Sequence, residues 1–227
     1  MRLASRVALP AETVTARGAG GITIRRARAE DTGLSDLLFA SARQEFAMLA
    51  GSEAVARRAL AELWGGHGHS ASFEHAWTAE IDGEPAGMLL GYPSRERWGL
   101  HAGLVRRGLR HLPPARRGLL LGAVARMAWL TPAPPRDSMY VGAVAVAPAH
   151  RRRHVAWELG DRFQAEAVSR SLPRLAAHTG TRNMVARRGL ERFGFRATAQ
   201  RSGGYVLYVK ELGAGVATIP APVARAA

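Results

Sequence analysis

The residues most suited to chemistry lie between positions 144 and 156. An apolar run ends at Val146, a short turn follows, and a helical pattern begins at Val155. The first N–H groups of a helix lack an intrahelical acceptor and carry the positive end of the helix dipole, so this turn can bind an anion. The turn also contains three guanidinium groups, those of Arg151, Arg152 and Arg153. Together these groups predict a site for a diphosphate.

A solvated basic loop is the alternative interpretation of the three arginines, because the chain is rich in arginine. The elements on either side favour the anion site. Residues 139–146 are apolar at every position, which predicts a strand buried on both faces. After the turn, apolar residues recur every fourth position and predict an amphipathic helix: Val155, Leu159, Phe163 and Ala167. Ala156, in its first turn, is small enough for a ligand to approach the backbone.

The remaining elements are predicted from periodicity and turn residues. Residues 22–27 alternate like a strand, and Asp31 or Thr32 is predicted to cap a helix that begins near Leu34. A second helix is predicted over residues 52–63. Asp82 and Gly83 predict a hairpin between strands at 76–81 and 86–92.

Residues 94–136 form an arginine- and leucine-rich stretch between strands. The pattern predicts two helices that are broken at Pro113 and Pro114, and the position suggests an inserted lid over a site. A strand at 175–178, a helix that has Ala186, Leu190 and Phe193 on one face and stops at Gly194, and a strand at 204–212 are predicted to complete the domain. Because helices and strands are mixed with hairpins, we expect a mixed sheet.

Composition indicates one globular domain: the chain has 227 residues, of which 47% are hydrophobic. We predict loosely held tails at residues 1–21 and 213–227 and a single domain at 22–212. Cysteine is absent, which excludes disulfides, thiolate zinc sites and an acyl-cysteine intermediate. The N-terminus lacks the apolar core of a signal peptide, and no stretch is apolar enough to span a bilayer, so a soluble, cytoplasmic protein without a membrane partner is expected.

The formal net charge of +14 would suit an acidic partner such as nucleic acid. However, Lys210 is the only lysine, and this skew resembles the coding bias of a GC-rich genome. A helix-turn-helix signature, zinc-ligand spacing and an RNA-binding aromatic motif are all missing. A nucleic-acid-binding protein therefore stays the weaker alternative.

Two segments in this order resemble the GNAT superfamily of N-acetyltransferases. The family's main signature is an apolar strand, a proline and then R/Q-x-x-G-x-G/A at the start of a helix; Arg151, His154 and Ala156 occupy these motif positions. The second signature is similar to residues 183–195, which begin with Asn183 and end in Phe193-Gly-Phe. The resemblance implies an α/β (α+β) fold with a GNAT-like mixed, mostly antiparallel splayed sheet flanked by helices.

The resemblance also implies transfer of an acetyl (acyl) group from acetyl-CoA, as co-substrate and without a metal, to a primary amine of a small molecule or peptide. The transfer would proceed by direct attack in a ternary complex. By this analogy the main chain of Val144 and Val146 binds the pantetheine arm, and the Val146 amide can donate to the thioester oxyanion. Asn183 lies beside the pantetheine or its thiol. The pyrophosphate is held by the residues from the turn to the first helical residues: Arg151, Arg152, Arg153, His154, Val155 and Ala156.

The sequence departs from the family pattern at two positions. His154 replaces a glycine whose position suits positive φ or close phosphate approach; its imidazole either donates to phosphate or crowds the loop. Leu190 replaces the tyrosine that often protonates the departing thiolate. Another group or water then supplies the proton, or the protein is a weak enzyme or a non-catalytic acyl-CoA-binding sensor.

The catalytic residues stay unknown at this level, and a water chain can replace a general base. Six residues are candidates for the general base by their order in the sequence. For each of them a surface or structural role is the more common alternative: Glu80, Glu84, His101, Asp137, Tyr140 and His178. His67 and His69 resemble a metal-binding pair but have no third ligand at convincing spacing, so a polar loop is the interpretation. A homodimer is compatible with all of these expectations.

Overall fold

The computed structural model describes residues 16–17, 21–202 and 204–213. Its centre is an eight-stranded sheet in the order β1-β2-β3-β4-β5-β6-β8-β7. The strands are β1 (Ala16–Arg17), β2 (Ile22–Arg26), β3 (Ala76–Ile81), β4 (Glu84–Pro93), β5 (Ser138–Val146), β6 (Arg174–Gly180), β7 (Arg196–Gln200) and β8 (Tyr205–Glu211). Among these described strands only β5 and β6 pair in parallel, and every other neighbouring pair is antiparallel. The expected mixed, mostly antiparallel sheet is confirmed.

Seven α-helices flank the sheet in the described part of the chain. They are α1 (Leu34–Ser41), α2 (Arg43–Ala50), α3 (Glu53–Trp64), α4 (Arg97–His111), α5 (Pro114–Leu130), α6 (Val155–Ser169) and α7 (Met184–Arg192). Two apolar cores result, one on each face of the sheet. The buried residues of α6 pack in one core, and those of α1 and α3 pack in the other.

Helix α6 has the predicted amphipathic pattern. Val155, Leu159, Phe163 and Ala167 are all buried against the sheet. Helices α4 and α5 occupy the predicted two-helix stretch between β4 and β5, and Pro114 is the first residue of α5. A proline suits this position because the first N–H of a helix has no intrahelical acceptor in any case.

Local predictions were wrong at the start of α1. Neither Asp31 nor Thr32 caps this helix; Gly33 occupies the N-cap position without a side-chain bond. Asp31 instead accepts hydrogen bonds from the guanidinium of Arg25 and from the N–H of Arg28. A charge-assisted bidentate pair is stronger than a cap, which explains the competition.

Three elements were not predicted from the sequence. Helix α2 and strand β7 have weak periodicity, and all five residues of β7 are exposed. The third, β1, falls within the segment predicted as a loosely held tail, but Ala16 and Arg17 pair with Ile24 and Thr23 of β2. The other residues of that predicted tail, 1–15 and 18–20, and the tail from 214 onward lie outside the described residues.

A close packing contact between α6 and β4 allows a stability test. A Cβ added at Gly91 would lie 2.6 Å from the Tyr140 main-chain oxygen and would overlap the ring of Phe163. Gly91→Ala is therefore expected to lower the free energy of unfolding by about 1–3 kcal/mol, measured by urea denaturation. Gly118→Ala is the control, because no described atom lies within 4 Å of its added Cβ. A helical glycine in open space should gain stability on this change, so equal effects at the two sites would contradict the packing argument.

No helix in the described ranges is both long and apolar enough to cross a membrane.

Candidate functional site

The sheet opens between its two parallel strands. Strands β5 and β6 pair only from Ser138↔Arg174 to Val141↔Ala177, although both continue beyond these residues. The prediction of a strand buried on both faces is wrong for the second half of β5, since Gly142 is exposed and Val144 is 40% exposed. The reason is the divergence of β6, which removes one neighbour from β5. An apolar strand segment near the middle of the sheet is thereby left lining a split.

The peptide groups of Val144 and Val146 point into this split. The N–H of Ala147 donates to the Ala86 carbonyl at 2.9 Å, so Ala147 and Ala86 form a hydrogen-bonded pair between β5 and β4. Hydrogen-bonded and non-bonded pairs alternate along an antiparallel ladder. With Val146 opposite Gly87 and Val144 opposite Leu89, both valines occupy non-bonded positions. Their N–H and C=O groups therefore face away from β4, toward the unpaired edge.

A turn rich in free N–H groups lies at the end of β5. Among the described residues, no main-chain acceptor binds the N–H groups of residues 152–156. Arg152 has φ 63° and His154 has φ 62°, and such left-handed residues turn successive N–H groups toward one side, as in anion-binding nests. His154 thus has the positive φ for which the family pattern uses glycine.

The side chains of this turn are exposed and face solvent. Arg151, Arg152, Arg153 and His154 are all exposed, as is Ala156 in the first turn of α6. Within the described ranges none of these arginines forms a salt bridge; Arg153 contacts only the Nδ1 of His150, at 3.3 Å. His154 makes no side-chain cap hydrogen bond to α6, and its exposed imidazole lies at the surface beside the free N–H groups.

The second motif lies at the same edge of the sheet. Asn183 follows β6, and its side-chain oxygen accepts from the N–H of Ala186 at 3.1 Å, so it caps α7. Since β5 and β6 are parallel, the helices that follow them both begin at this edge, on either side of the split. Leu190 of α7 is partly buried and packs against the core. It has no polar atom to offer.

Two tyrosine–histidine pairs lie near the closed end of the split. His178 is the first residue of β6 beyond its last pair with β5, and its Nδ1 lies 3.1 Å from the Tyr140 hydroxyl. Its Nε2 lies 2.8 Å from the Pro132 carbonyl, which can only accept, so Nε2 carries the proton and Nδ1 accepts from Tyr140. Tyr92 and the Nε2 of His101 form the second pair at 2.8 Å.

These four side chains are uncharged at neutral pH. Burial and then the charge of Arg97 lower the pKa of His178 and of His101 to about 4 each. Burial raises the pKa of Tyr140 and of Tyr92. A group with a pKa near 4 is a poor general base at pH 7. The cluster therefore offers hydrogen bonds and a polar surface rather than an efficient proton acceptor.

The other base candidates lie elsewhere. Glu80 of β3 binds Arg25, and Asp137 binds Arg174 at the opposite end of β5 from the turn. Glu84 is exposed in the β3–β4 hairpin. Sequence order alone missed Tyr92 and Arg97, because neither belongs to a motif and one arginine among 32 basic residues gives no signal.

Histidine protonation should make stability depend on pH. We expect the free energy of unfolding to fall from pH 7 to pH 5 by about 1–2 kcal/mol for each of His101 and His178. Their pKa is about 4 when folded and about 6.5 when unfolded, so in this range the unfolded chain binds protons that the folded protein excludes. Urea unfolding of His178→Asn should show a shallower dependence on pH than wild type. Identical slopes in wild type and His178→Asn would contradict the expectation.

Two other polar features lie near this site. A cavity of about 170 Å³ at the far end of α6 is lined in part by Arg170, Glu74 and His75, and it shares Tyr92 with the tyrosine–histidine pairs. His67 contacts Glu74 at 2.9 Å. Across the part of the chain that is described, no group of three or more His, Cys, Asp or Glu side chains is arranged to hold a metal ion.

Comparison with known proteins shows the family of this chain and supports its fold. The model of the Acetyltransferase (GNAT) family matches residues 42–195. An acetyltransferase of known crystal structure superposes with a TM-score of 0.64 at 21% identity, over 84% of this chain and 99% of the other. An N-acetyltransferase from Staphylococcus aureus Mu50 has a TM-score of 0.57 at 16% identity, over 82% and 98% of the two chains. An agmatine N-acetyltransferase mutant in its apo form has a TM-score of 0.51 at 17% identity, over 85% and 100%. No curated protein sequence matches this chain.

Proposed function

Because this chain belongs to the Acetyltransferase (GNAT) family, we propose that it transfers an acetyl group from acetyl-CoA to a primary amine of a small molecule or peptide. The observation that carries the proposal is the split between β5 and β6, which has free peptide groups along one wall and a turn of free N–H groups at its mouth. A long, thin ligand with a diphosphate at one end suits both parts.

Each part of the site has a role in this proposal. The free peptide groups of Val144 and Val146 bind the pantetheine arm as a missing strand would. The N–H groups of residues 152–156 and the exposed guanidinium groups of the turn bind the pyrophosphate. The side-chain oxygen of Asn183 caps α7. Its amide NH₂ group is therefore free to donate to the pantetheine from the β6 side of the split.

The reaction itself needs a neutral amine and a stabilised oxyanion. The amine attacks the thioester carbonyl, and the Val146 N–H donates to the oxygen on which negative charge develops. The C–S bond then breaks and CoA leaves as a thiolate, which takes a proton that the amine releases. With Leu190 apolar and the histidines of low pKa, this proton passes directly or through water rather than through a strong protein base.

Thermal unfolding in the presence of ligands tests the binding step. Acetyl-CoA and free CoA should each raise the melting temperature, and a ligand at 100 times its Kd adds about 2.7 kcal/mol to the free energy of unfolding. Duplex DNA should raise it less than either. A shift with DNA alone would favour a nucleic-acid-binding protein instead.

Release of free thiol tests the chemical step. Acetyl-CoA with a panel of primary amines should give amine-dependent thiol release, detected with a thiol-reactive chromophore. Binding of acetyl-CoA without release for any amine would instead indicate a non-catalytic acyl-CoA sensor. The observation that favours this second candidate function is that Leu190, which has no polar atom to protonate a thiolate, packs against the core.

A further inference from the structure

A buried arginine lies beside the closed end of the split. Arg97, the first residue of α4, is 5% exposed and is the only Lys, Arg, Asp or Glu among the buried residues of the described chain. Its guanidinium carbon lies 5.4 Å from the ring centre of Tyr140 and 4.8 Å from that of Trp98. Trp98 is 58% exposed, so the charge lies just beneath the surface.

Arg97 lacks the partner that a buried charge normally has. Within residues 16–17, 21–202 and 204–213, no carboxylate forms a salt bridge with it, and its Nε is buried without a hydrogen-bond partner. By contrast, Arg25 pairs with Asp31 and Glu80, and Arg26 pairs with Glu166. Burying an unpaired charge is costly, and cation–π contacts offset only part of that cost.

The position of Arg97 connects it with the reaction site. Its neighbour Tyr140 donates to His178, the residue at which the two strands separate. His101, one helical turn after Arg97, pairs with Tyr92, whose hydroxyl lies 3.4 Å from a Cβ built at Gly142 in β5. Arg97 thus lies beside the tyrosine–histidine pairs near the closed end of the split, whereas the arginine turn lies at the other end of β5.

We infer that the acceptor amine carries an anionic group, a carboxylate as in an amino acid, which pairs with Arg97 while the amine faces the split. This inference rests on the proposed acetyltransferase function. An anion supplies the missing partner of the guanidinium, and a carboxylate fits its planar fork with two hydrogen bonds. The same cation disfavours the protonated form of a nearby amine, which helps to keep the nucleophile neutral.

Arg97 also discriminates against other acceptors. A diamine or polyamine that lacks a carboxylate brings a second cation toward an unpaired buried guanidinium, and this like-charge contact is unfavourable. The expected preference is therefore for an amino acid over its own decarboxylated amine.

Matched acceptor pairs test the inference: L-lysine with cadaverine, L-arginine with agmatine, and L-phenylalanine with phenethylamine. Thiol release should give a kcat/KM at least about tenfold higher for the acid of the preferred pair, as expected for one charge-assisted interaction. Arg97→Met should remove this preference by lowering kcat/KM for the acid alone, and Arg97→Lys should keep part of it. Arg95→Met is the matched control, since the Arg95 side chain is 62% exposed, and it should leave the preference unchanged.

The outcomes separate this inference from the proposed function. Turnover of the decarboxylated amines as fast as, or faster than, the amino acids would overturn the inference and leave the acetyltransferase assignment intact. An equal loss for both members of a pair in Arg97→Met would also overturn it. Absence of acetyl-CoA binding would overturn both together. If Arg97→Met fails to fold, the wild-type comparison and Arg97→Lys still decide the matter.

Discussion

Acetyl-CoA is expected to bind at least about 100-fold more weakly when Arg152 and Arg153 are both replaced by glutamate. Each charge-assisted contact with a phosphate contributes about 1.5–3 kcal/mol, and the substitution adds repulsion to the loss of two such contacts. Both residues are exposed in the turn before α6 and form no salt bridge within the described chain. Isothermal titration calorimetry with acetyl-CoA measures the change. The melting temperature without ligand should stay close to that of wild type.

A control variant separates the effect of the change in net charge from the effect of where the charges lie. Arg106→Glu together with Arg110→Glu makes the same change in net charge on exposed residues of α4. This control should reduce affinity only through long-range electrostatics, which 0.15 M salt largely screens beyond about 8 Å. Equal losses in the two double variants, or unchanged affinity in the turn variant, would show that the diphosphate site has been assigned to the wrong loop.

Val146→Pro should lower kcat by about 100- to 1,000-fold, the usual cost of removing one oxyanion donor. Proline removes the N–H, and at Val146 that N–H faces the split rather than β4, so the ladder keeps its hydrogen bonds. Steady-state kinetics of thiol release measures kcat. Val146→Ala keeps the N–H and isolates the contribution of the side chain, which packs against the core.

Ala145→Pro is the positional control for the same substitution. Ala145 lies opposite Met88 at a hydrogen-bonded position of the ladder. Removal of the Ala145 N–H by proline should therefore lower the free energy of unfolding by about 1–3 kcal/mol. Val146→Pro should cost less stability and more activity. The reverse order would mean that the Val146 N–H points toward β4 and cannot serve as the oxyanion donor.

Local patterns were predicted well where one segment contains all the necessary information. The buried face of α6 was predicted because its four apolar residues recur at helical spacing, and the order of strand, turn and helix around residues 144–156 follows from adjacent residues. The cap of α1 was predicted wrongly because Asp31 binds Arg25 of another element. Strand β7 was missed because an exposed edge strand needs no apolar alternation.

The sequence by itself determined the turn: free N–H groups at a helix start, three arginines and a histidine at a position that takes positive φ. These are local properties of consecutive residues, and the backbone there follows from them. Only the tertiary structure decided that β5 and β6 separate after Val141, because strand divergence depends on pairing between residues about 36 apart in the chain. It alone also placed Arg97 beside Tyr140 with no carboxylate partner among the described residues, since burial and pairing of a charge depend on which distant side chains the fold brings together.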